Sequence, residues 1–600
     1  MRNQEILQKH VVLLGLILLM SFGFLMYGNG MISLTHPDEV FYTQIAKEMI
    51  AHKSWMTAYI FDAPNFEKPI LFYWLQRAAV QAFGPHSFVA RFWPAFFGIL
   101  GVCVTYGMSW ILFGKKSLSF LSALILMTSF IYIALSRAIL TDMVFSIWVV
   151  LAITCFAWAY YQRNFIDLST LKDKTEEVNT AFSKGKKGHY TGFHNVFGKE
   201  KASKSLGLVL FWVFCALAVL TKGLLGLCFP LATVVLFLLY KKELSFVHTQ
   251  AFWGGMILFI LLAVPWHILM YKLYGQPFID EYWHNVHVRR IFEAEHKRCD
   301  TWYFYLGVMF GGLMPWSLFL PPALVKISQT ILRRTSDFDR YAFLCFWFLG
   351  VFLFVEPAHS KLASYIIPVF PALAIFVAAY IHLIWEEKFQ VIPWGMMAAG
   401  LLMSAVLILA GIAAIFFAKE NFEMIGNMQP IYVFAGFMAF LAVVFLFLIW
   451  QRKFNYLCAA HVGITITVLI TLFLGKVYAE PWVSCRDIVN RFKALDHSDT
   501  VVLTSKFYVR GVKFYTNREV AVIDMGGTGF FSPHPIPFLN TEEKVRAFLD
   551  SQPFTFCIVK EGNVQDLERI TQGHYTMQHL GEIGGKYILR IEKMSYRPAH

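Results

Sequence analysis

Acidic and basic side chains recur at the margins of long apolar runs in five separate segments of this chain. Asp38 and Glu39 stand in "THPDEVFYTQIAKEMI", and Glu67 and Lys68 in "FEKPILFYWLQRAAV". Arg137 and Asp142 precede one apolar run, and Lys222 precedes another. "DEYWHNVHVRRIFEAEHKR" carries His284, His287, Arg289 and Arg290, and Glu356, His359 and Lys361 come just before a further run. Carboxylates beside fixed cations can bind an anionic head group and hold or move a proton. Each residue alone also fits a solvated group at a membrane surface, where charge costs little. Their recurrence on one face is harder to explain that way. A transporter would place ionisable groups within its spans, and few lie there. A lipid-linked substrate that enters sideways, with its head group at the outer surface, fits better.

The elements that must carry these residues follow from composition. Of 600 residues, 57% are hydrophobic and 15% charged, and mean hydropathy is +0.54. A soluble chain has about 25% charged residues, so this is a polytopic membrane protein. Hydropathy predicts thirteen spans, at 11–30, 88–112, 118–136, 140–162, 206–221, 223–240, 250–271, 303–325, 340–355, 362–385, 391–417, 429–450 and 456–478. The net charge of +13 sits in short loops that all fall on one side for that count, the cytoplasmic side. It therefore does not point to nucleic acid. The first run is long, lacks a small-residue cleavage site and is expected to be retained. Nine cysteines include no CxxC pair and read as small buried hydrophobes.

An odd span count puts the C-terminus outside. We expect a membrane domain over 1–479, with outer loops 31–87 and 272–302 and a cytoplasmic loop 163–205, and an outer α/β domain over 480–600. "THPDEVFYTQIAKEMI" and "FEKPILFYWLQRAAV" have the period of amphipathic helices lying on the interface. In the C-terminal part, "TVVLTSKFYV", "EVAVIDM", "PFTFCIVKEG" and "KYILRIEK" read as strands and "TEEKVRAFLDS" as a capped helix. The Gly- and Ser-containing basic insertion from Arg163 to Lys204 reads as a solvated flexible loop.

The succession "PDE…YTQIAKEM", "FEKPILFYW", "ARFWPAFFG", "SRAILTDMVFSIW", "LTKG", "RRIF", "LMPW" and "HSKLASYIIPVFPALA" resembles the C-type (GT-C) glycosyltransferases of the ArnT/protein O-mannosyltransferase superfamily. The likeness is strongest to the branch that transfers 4-amino-4-deoxy-L-arabinose to lipid A. It runs in family order from about residue 31 to 380, and "RGVKFYTNREVAVI" is similar to that branch's periplasmic domain. FEKP together with SKLxxYxxP is specific, whereas a lone Asp-Glu pair would be weak. The resemblance implies thirteen membrane helices, two juxtamembrane helices and a periplasmic α/β domain in the bacterial inner membrane. It implies a polyprenyl phosphate-linked sugar as donor, here undecaprenyl phosphate-aminoarabinose. Lipid A or another envelope molecule is the implied acceptor, and the associated trait is polymyxin resistance.

Asp38 matches the family's acidic residue at the start of the first outer helix. It is expected to act as base or acceptor-orienting carboxylate, with simple helix capping as the alternative. Asp142 matches a carboxylate at the top of the fourth span, with Arg137 as its expected partner. Lys68 matches the lysine that binds the donor phosphate, and Pro69 restricts its backbone. Arg290 matches an arginine suited to bidentate phosphate binding, with Arg289 beside it. Tyr365, Lys222 and Lys361 are the further phosphate contacts. Some relatives hold a divalent metal through the FEKP glutamate and a later histidine. The same could be built here from Glu67 with His284 or His287, although the chemistry requires no cofactor. Two other readings stay open: the same donor chemistry with another sugar or a protein Ser/Thr acceptor, and a lipid or oligosaccharide transporter.

Overall fold

The computed structural model describes residues 2–167, 191–289, 292–293, 301–334, 337–386, 394–422, 426–530, 532 and 534–594. Arg290 and residues 168–190 of the basic insertion lie outside the described residues. Among the described residues, nine helices are long and apolar enough to cross a membrane. Two further helix pairs are bent at a break: Lys116–Thr128 with Phe130–Arg137, by 62°, and Phe304–Gly312 with Ser317–Leu332, by 114°. His10–Met26 and Leu225–Lys241 are shorter apolar helices. The chain is a multi-pass membrane protein. Among the described residues the count is nine, or up to eleven when each bent pair is taken as one crossing, against the thirteen expected.

The two bent pairs correct the straight spans expected at 118–136 and 303–325. Ser129 is extended, with φ −75° and ψ 133°. The groups freed by the break are taken up locally and by the other bend. Ser129 Oγ donates to Ile125 O at 2.6 Å, Phe130 N to Met314 O at 3.0 Å, and Trp316 Nε1 to Thr128 Oγ1 at 2.9 Å. Irregular backbone at membrane depth persists only where protein groups replace the lost bonds, and each bend does this for the other. The first bent pair ends at Arg137, directly before the helix that begins at Thr141.

The elements that bear on the site are numbered here in chain order. The first long polar segment carries α1 (Asp38–Ala51), a hairpin of β1 (Ala58–Ile60) and β2 (Ala63–Asn65), and α2 (Leu71–Phe83). The membrane helices α3 (Ser87–Phe113), α4 (Thr141–Asp167) and α5 (Thr191–Lys222) follow. The last membrane helix, α6 (Leu457–Val483), leads into α7 (Arg486–Leu495). The change of composition near Glu480 thus precedes the end of the helix. Then come β3 (Val502–Ser505), α8 (Val509–Thr516), β4 (Val520–Ile523), β5 (Phe538–Leu539), α9 (Glu542–Asp550), β6 (Phe554–Lys560), α10 (Glu561–Thr571), β7 (Tyr575–Ile583) and β8 (Lys586–Lys593).

These six C-terminal strands form one sheet in the order β5-β4-β3-β6-β8-β7. β5, β4, β3 and β6 are parallel, and β8 and β7 add antiparallel. Two-residue alternation gives the sheet two different faces. Leu503, Ala521, Ile523, Cys557 and Val559 pack with Val545, Leu549 and Leu567 of α9 and α10 in a core of their own. Val502, Val520, Val522, Phe556 and Ile558 join a core that runs on through α7 and α8 into the membrane helices. Each large side chain buried this way stabilises by about 1.5–3 kcal/mol, so this second face fastens the domain to the bundle.

That fastening also covers α1. Val40, Phe41, Ile45 and Met49 are buried, and so are Glu39, Gln44 and Glu48. α8 packs across α1, and Lys47 Nζ reaches over to Asn517 Oδ1 at 2.7 Å. α1 is therefore an internal strut between bundle and domain. The "TVVLTSKFYV" strand is also corrected. It ends at Ser505, and Lys506–Tyr508 turn the chain into α8.

Candidate active site

Three local devices set the geometry. The first separates two neighbouring carboxylates. Glu39 is buried and paired with Arg91, whose Nε lies 2.7 Å from Oε1. It also accepts from Thr35 N at 3.0 Å. Arg91 in turn donates to Asn29 O and Ile32 O at 2.7 Å each and to Ser33 O at 3.0 Å. This cluster holds the chain before α1 in one path. Asp38, one residue earlier on the helix, keeps 58% of its side chain exposed.

The second device is the β1–β2 turn. Phe61 and Asp62 both have positive φ, 53° and 61°, a turn that Asn-Gly would normally make. Glu48 of α1 supplies the compensation. It accepts from Phe61 N at 3.1 Å and Asp62 N at 2.9 Å. Past β2, Asn65 Oδ1 accepts from Glu67 N at 3.3 Å, and Pro69 follows Lys68. The FEKP bend is thereby held at a defined height above α1.

The third device joins helix ends. Asp142 lies in the first turn of α4 and Lys222 in the last turn of α5. Their side chains form an ion pair, each only 9% exposed. Lys222 Nζ also lies 4.2 Å from the ring centroid of Tyr365, which the 3-10 turn Ala363–Val369 presents. Arg137 is not the partner of Asp142, as the sequence had suggested. It donates to Phe24 O at 2.9 Å and Tyr27 O at 2.5 Å and fixes the first membrane helix.

These devices meet at a cavity of about 1070 Å3. Asp38, Glu67, Lys68, Asp142, Lys222 and Tyr365 line it together. Tyr42 lines it too, and burial, with the charges of Asp38, Asp142 and Glu67, pushes its hydroxyl well above the ordinary value. It remains a neutral donor. The cavity therefore holds cations for a phosphate next to carboxylates that can orient an incoming group or take its proton.

Lys361 does not line the cavity. It is buried, donating to Thr301 O at 3.1 Å and Glu356 Oε1 at 3.0 Å, and braces that loop. Arg290 lies outside the described residues, but Arg289 lines the cavity. His284 is exposed, and His287 Nδ1 is 2.6 Å from Tyr282 O. Among the described residues, no group of three or more His, Cys, Asp or Glu is placed to hold a metal. Glu67 lines the cavity.

Lys506, Arg510, Asp524 and Lys560 of the C-terminal domain line the same cavity, and the sequence had not singled them out. A signal was present. Lys506 directly follows β3, Asp524 directly follows β4, and Lys560 closes β6. Ligands of open α/β sheets bind outside the carboxyl ends of parallel strands.

Bent membrane helices and a carboxylate–cation cavity under an α/β domain give this chain the fold of solved C-type glycosyltransferases. The ArnT of Cupriavidus metallidurans, in a crystal structure bound to undecaprenyl phosphate, superposes with a TM-score of 0.71 at 18% identity, covering 96% of this chain and 97% of that one. Its apo form gives 0.72, also at 18% identity, over 97% and 98%. Residues 11–170 match the family model described as dolichyl-phosphate-mannose-protein mannosyltransferase. The undecaprenyl phosphate-alpha-4-amino-4-deoxy-L-arabinose arabinosyl transferase of Photorhabdus laumondii is 24% identical over 480 residues, 78% of this chain and 76% of its own length. A second enzyme of that name, from Proteus mirabilis, is 25% identical over 437 residues, 72% of this chain and 68% of its own. Fold and sequence thus both liken the chain to the glycosyltransferases of the ArnT/protein O-mannosyltransferase superfamily.

Proposed function

We propose that this protein transfers 4-amino-4-deoxy-L-arabinose from undecaprenyl phosphate to lipid A at the periplasmic face of the bacterial inner membrane. The observation that carries the reading is the single cavity that unites Asp38, Lys68, Asp142, Lys222 and Tyr365 at the ends of membrane helices. The names borne by the relatives support the sugar and the carrier. The clustering of basic loops on one side supports the orientation.

In the reaction, the bond between sugar C1 and the carrier phosphate oxygen breaks, and its electron pair leaves with the phosphate. A new bond forms from C1 to an oxygen of the acceptor phosphate. Lys68 and Lys222 stabilise the charge that grows on the departing phosphate. Asp142 keeps Lys222 charged and oriented until that anion takes its place. Asp38 orients the acceptor oxygen and takes its proton when it carries one. Tyr365 and Tyr42 donate to phosphate or sugar oxygens.

Mass spectrometry of lipid A and of polyprenyl-linked sugars tests this in cells carrying wild-type protein, Asp38→Asn or a deletion. The expected result is loss of the pentosamine-sized adduct from lipid A, with accumulation of the lipid-linked sugar, in both altered strains. Unchanged lipid A with accumulation of a different lipid-linked sugar would move the acceptor to a protein hydroxyl or another glycan. No accumulation in either strain would favour transport over transfer.

A further inference from the structure

Among the described residues, six cationic side chains line the cavity, and they come from two different folding units. Lys68, Lys222 and Arg289 belong to the membrane part. Lys506, Arg510 and Lys560 belong to the sheet domain and stand at the carboxyl ends of β3 and β6 and in the first turn of α8. One monoester phosphate on a lipid carrier needs only one such set. The strand order explains why the second set exists as a cluster. β3 lies between β4 and β6, so the chain leaves its carboxyl end toward β4 on one side and returns through β6 on the other. Such a crevice is where parallel sheets take ligands.

The contacts within this cluster are specific. Lys506 Nζ donates to Thr528 O at 2.7 Å and Gly529 O at 3.2 Å and lies 3.6 Å from Asp524 Oδ2. Lys560 is exposed. The Arg510 guanidinium lies 4.2 Å from the Phe41 ring centroid. Its Nη1 is 3.9 Å from Asp38 Oδ1 and its Nη2 is 3.4 Å from His534 Nε2, while its Nε is buried with no hydrogen bond. Burial, then the charge of Arg510, lowers the His534 pKa from 6.5 to about 4, so a neutral ring faces the guanidinium. Phe507 is 55% exposed beside it, a flat apolar face of the kind that sugar rings pack on.

We propose that Lys506, Arg510 and Lys560 form a second anion subsite that binds a phosphate of the acceptor glycolipid, while Lys68, Lys222 and Arg289 bind the donor phosphate. This rests on the transferase reading above and names what selects its acceptor. A phosphate brought to Asp38 would be repelled by that carboxylate, and Arg510 offsets the repulsion by touching Asp38. A neutral peptide hydroxyl would need no such set. Arg510 is thus a positioning residue for Asp38 as well as a ligand of the acceptor.

The test uses the full-length protein in nanodiscs, with donor and lipid A varied separately. In the Lys506→Gln/Lys560→Gln double variant, whose fold is checked by its melting temperature because Lys506 also bonds Thr528 O and Gly529 O, the KM for lipid A should rise by about tenfold, as expected from loss of charge-assisted hydrogen bonds. The KM for donor should stay unchanged. Arg510→Lys should keep part of the acceptor affinity and Arg510→Gln should lose it. A rise in donor KM or no change in either KM would overturn the subsite. Thermal-shift binding of lipid A to wild type and double variant separates the two failures. Binding that depends on Lys506 and Lys560 without turnover would keep the subsite and discard the transferase reading. Turnover with binding indifferent to these lysines would do the reverse.

Discussion

Asp38 and Glu39 are adjacent and chemically alike, yet the fold gives them opposite surroundings. Glu39→Gln removes the partner of a buried arginine, and such losses cost about 3–5 kcal/mol. It should lower the melting temperature and the yield of folded protein. Asp38→Asn should leave the melting temperature in place and abolish turnover; wild-type turnover in that variant would remove Asp38 from the reaction. Lys68→Ala should reduce kcat/KM by about 10²–10³, the size of one lost transition-state donor, and an unchanged rate would end its assignment to the phosphate. The sequence placed both acids at one helix start, and the resemblance marked Asp38. Neither could assign Glu39 to Arg91, because that pairing joins residues 52 apart in the chain.

At the scale of elements, the strained β1–β2 turn is held by Glu48. A non-glycine residue in the left-handed region costs roughly 1–2 kcal/mol, and two such residues stand together here. Glu48→Ala should free the turn, let Lys68 move and raise the donor KM while leaving acceptor KM alone. The seam between α1 and the domain carries its own pH dependence. His36 sits with its ring 4.9 Å from Phe507 and 5.1 Å from Tyr508, and Nδ1 is 3.7 Å from Cys485 Sγ. Burial, then the charge of Lys586, lowers its pKa from 6.5 to about 4. The folded state thus refuses a proton that the unfolded state accepts between these values. Stability is complete above about 6.5 and declines as pH falls toward 4, by up to about 3 kcal/mol if the seam stays fully closed. Melting curves from pH 7.5 to 4.5 should show this decline, and His36→Gln should flatten it. A decline of equal size in His36→Gln would place its origin elsewhere.

For the whole molecule, the cavity exists only because the sheet domain closes over the membrane helices. Among the described residues, six cations and four carboxylates line it, and this set favours an anion. Binding to the folded state alone stabilises by about 2.7 kcal/mol at a hundredfold excess over Kd. Undecaprenyl phosphate should accordingly raise the melting temperature of the wild type, and Lys68→Ala should blunt that rise. An equal rise in both would show that the lipid tail, not the phosphate, carries the binding.

Hydropathy by itself determined that the chain crosses the membrane many times, because a bilayer crossing is a local property of about 20 residues. Short strong patterns behaved similarly: the capped helix α9, β6 and β8 lie where they were read, since caps and alternation act over a few residues. The motif order pointed to Asp38, Lys68, Asp142, Lys222 and Tyr365, and these share one cavity. What failed were the judgements that depend on distant partners. The two broken spans depend on hydrogen bonds between residues such as Phe130 and Met314. Lys361 looked like a ligand because its partner Thr301 lies in another loop. The second cationic set was invisible for the same reason. Lys506, Arg510 and Lys560 are scattered over three stretches of chain, and only the pairing of parallel strands brings them to one edge, above a carboxylate from the other end of the protein.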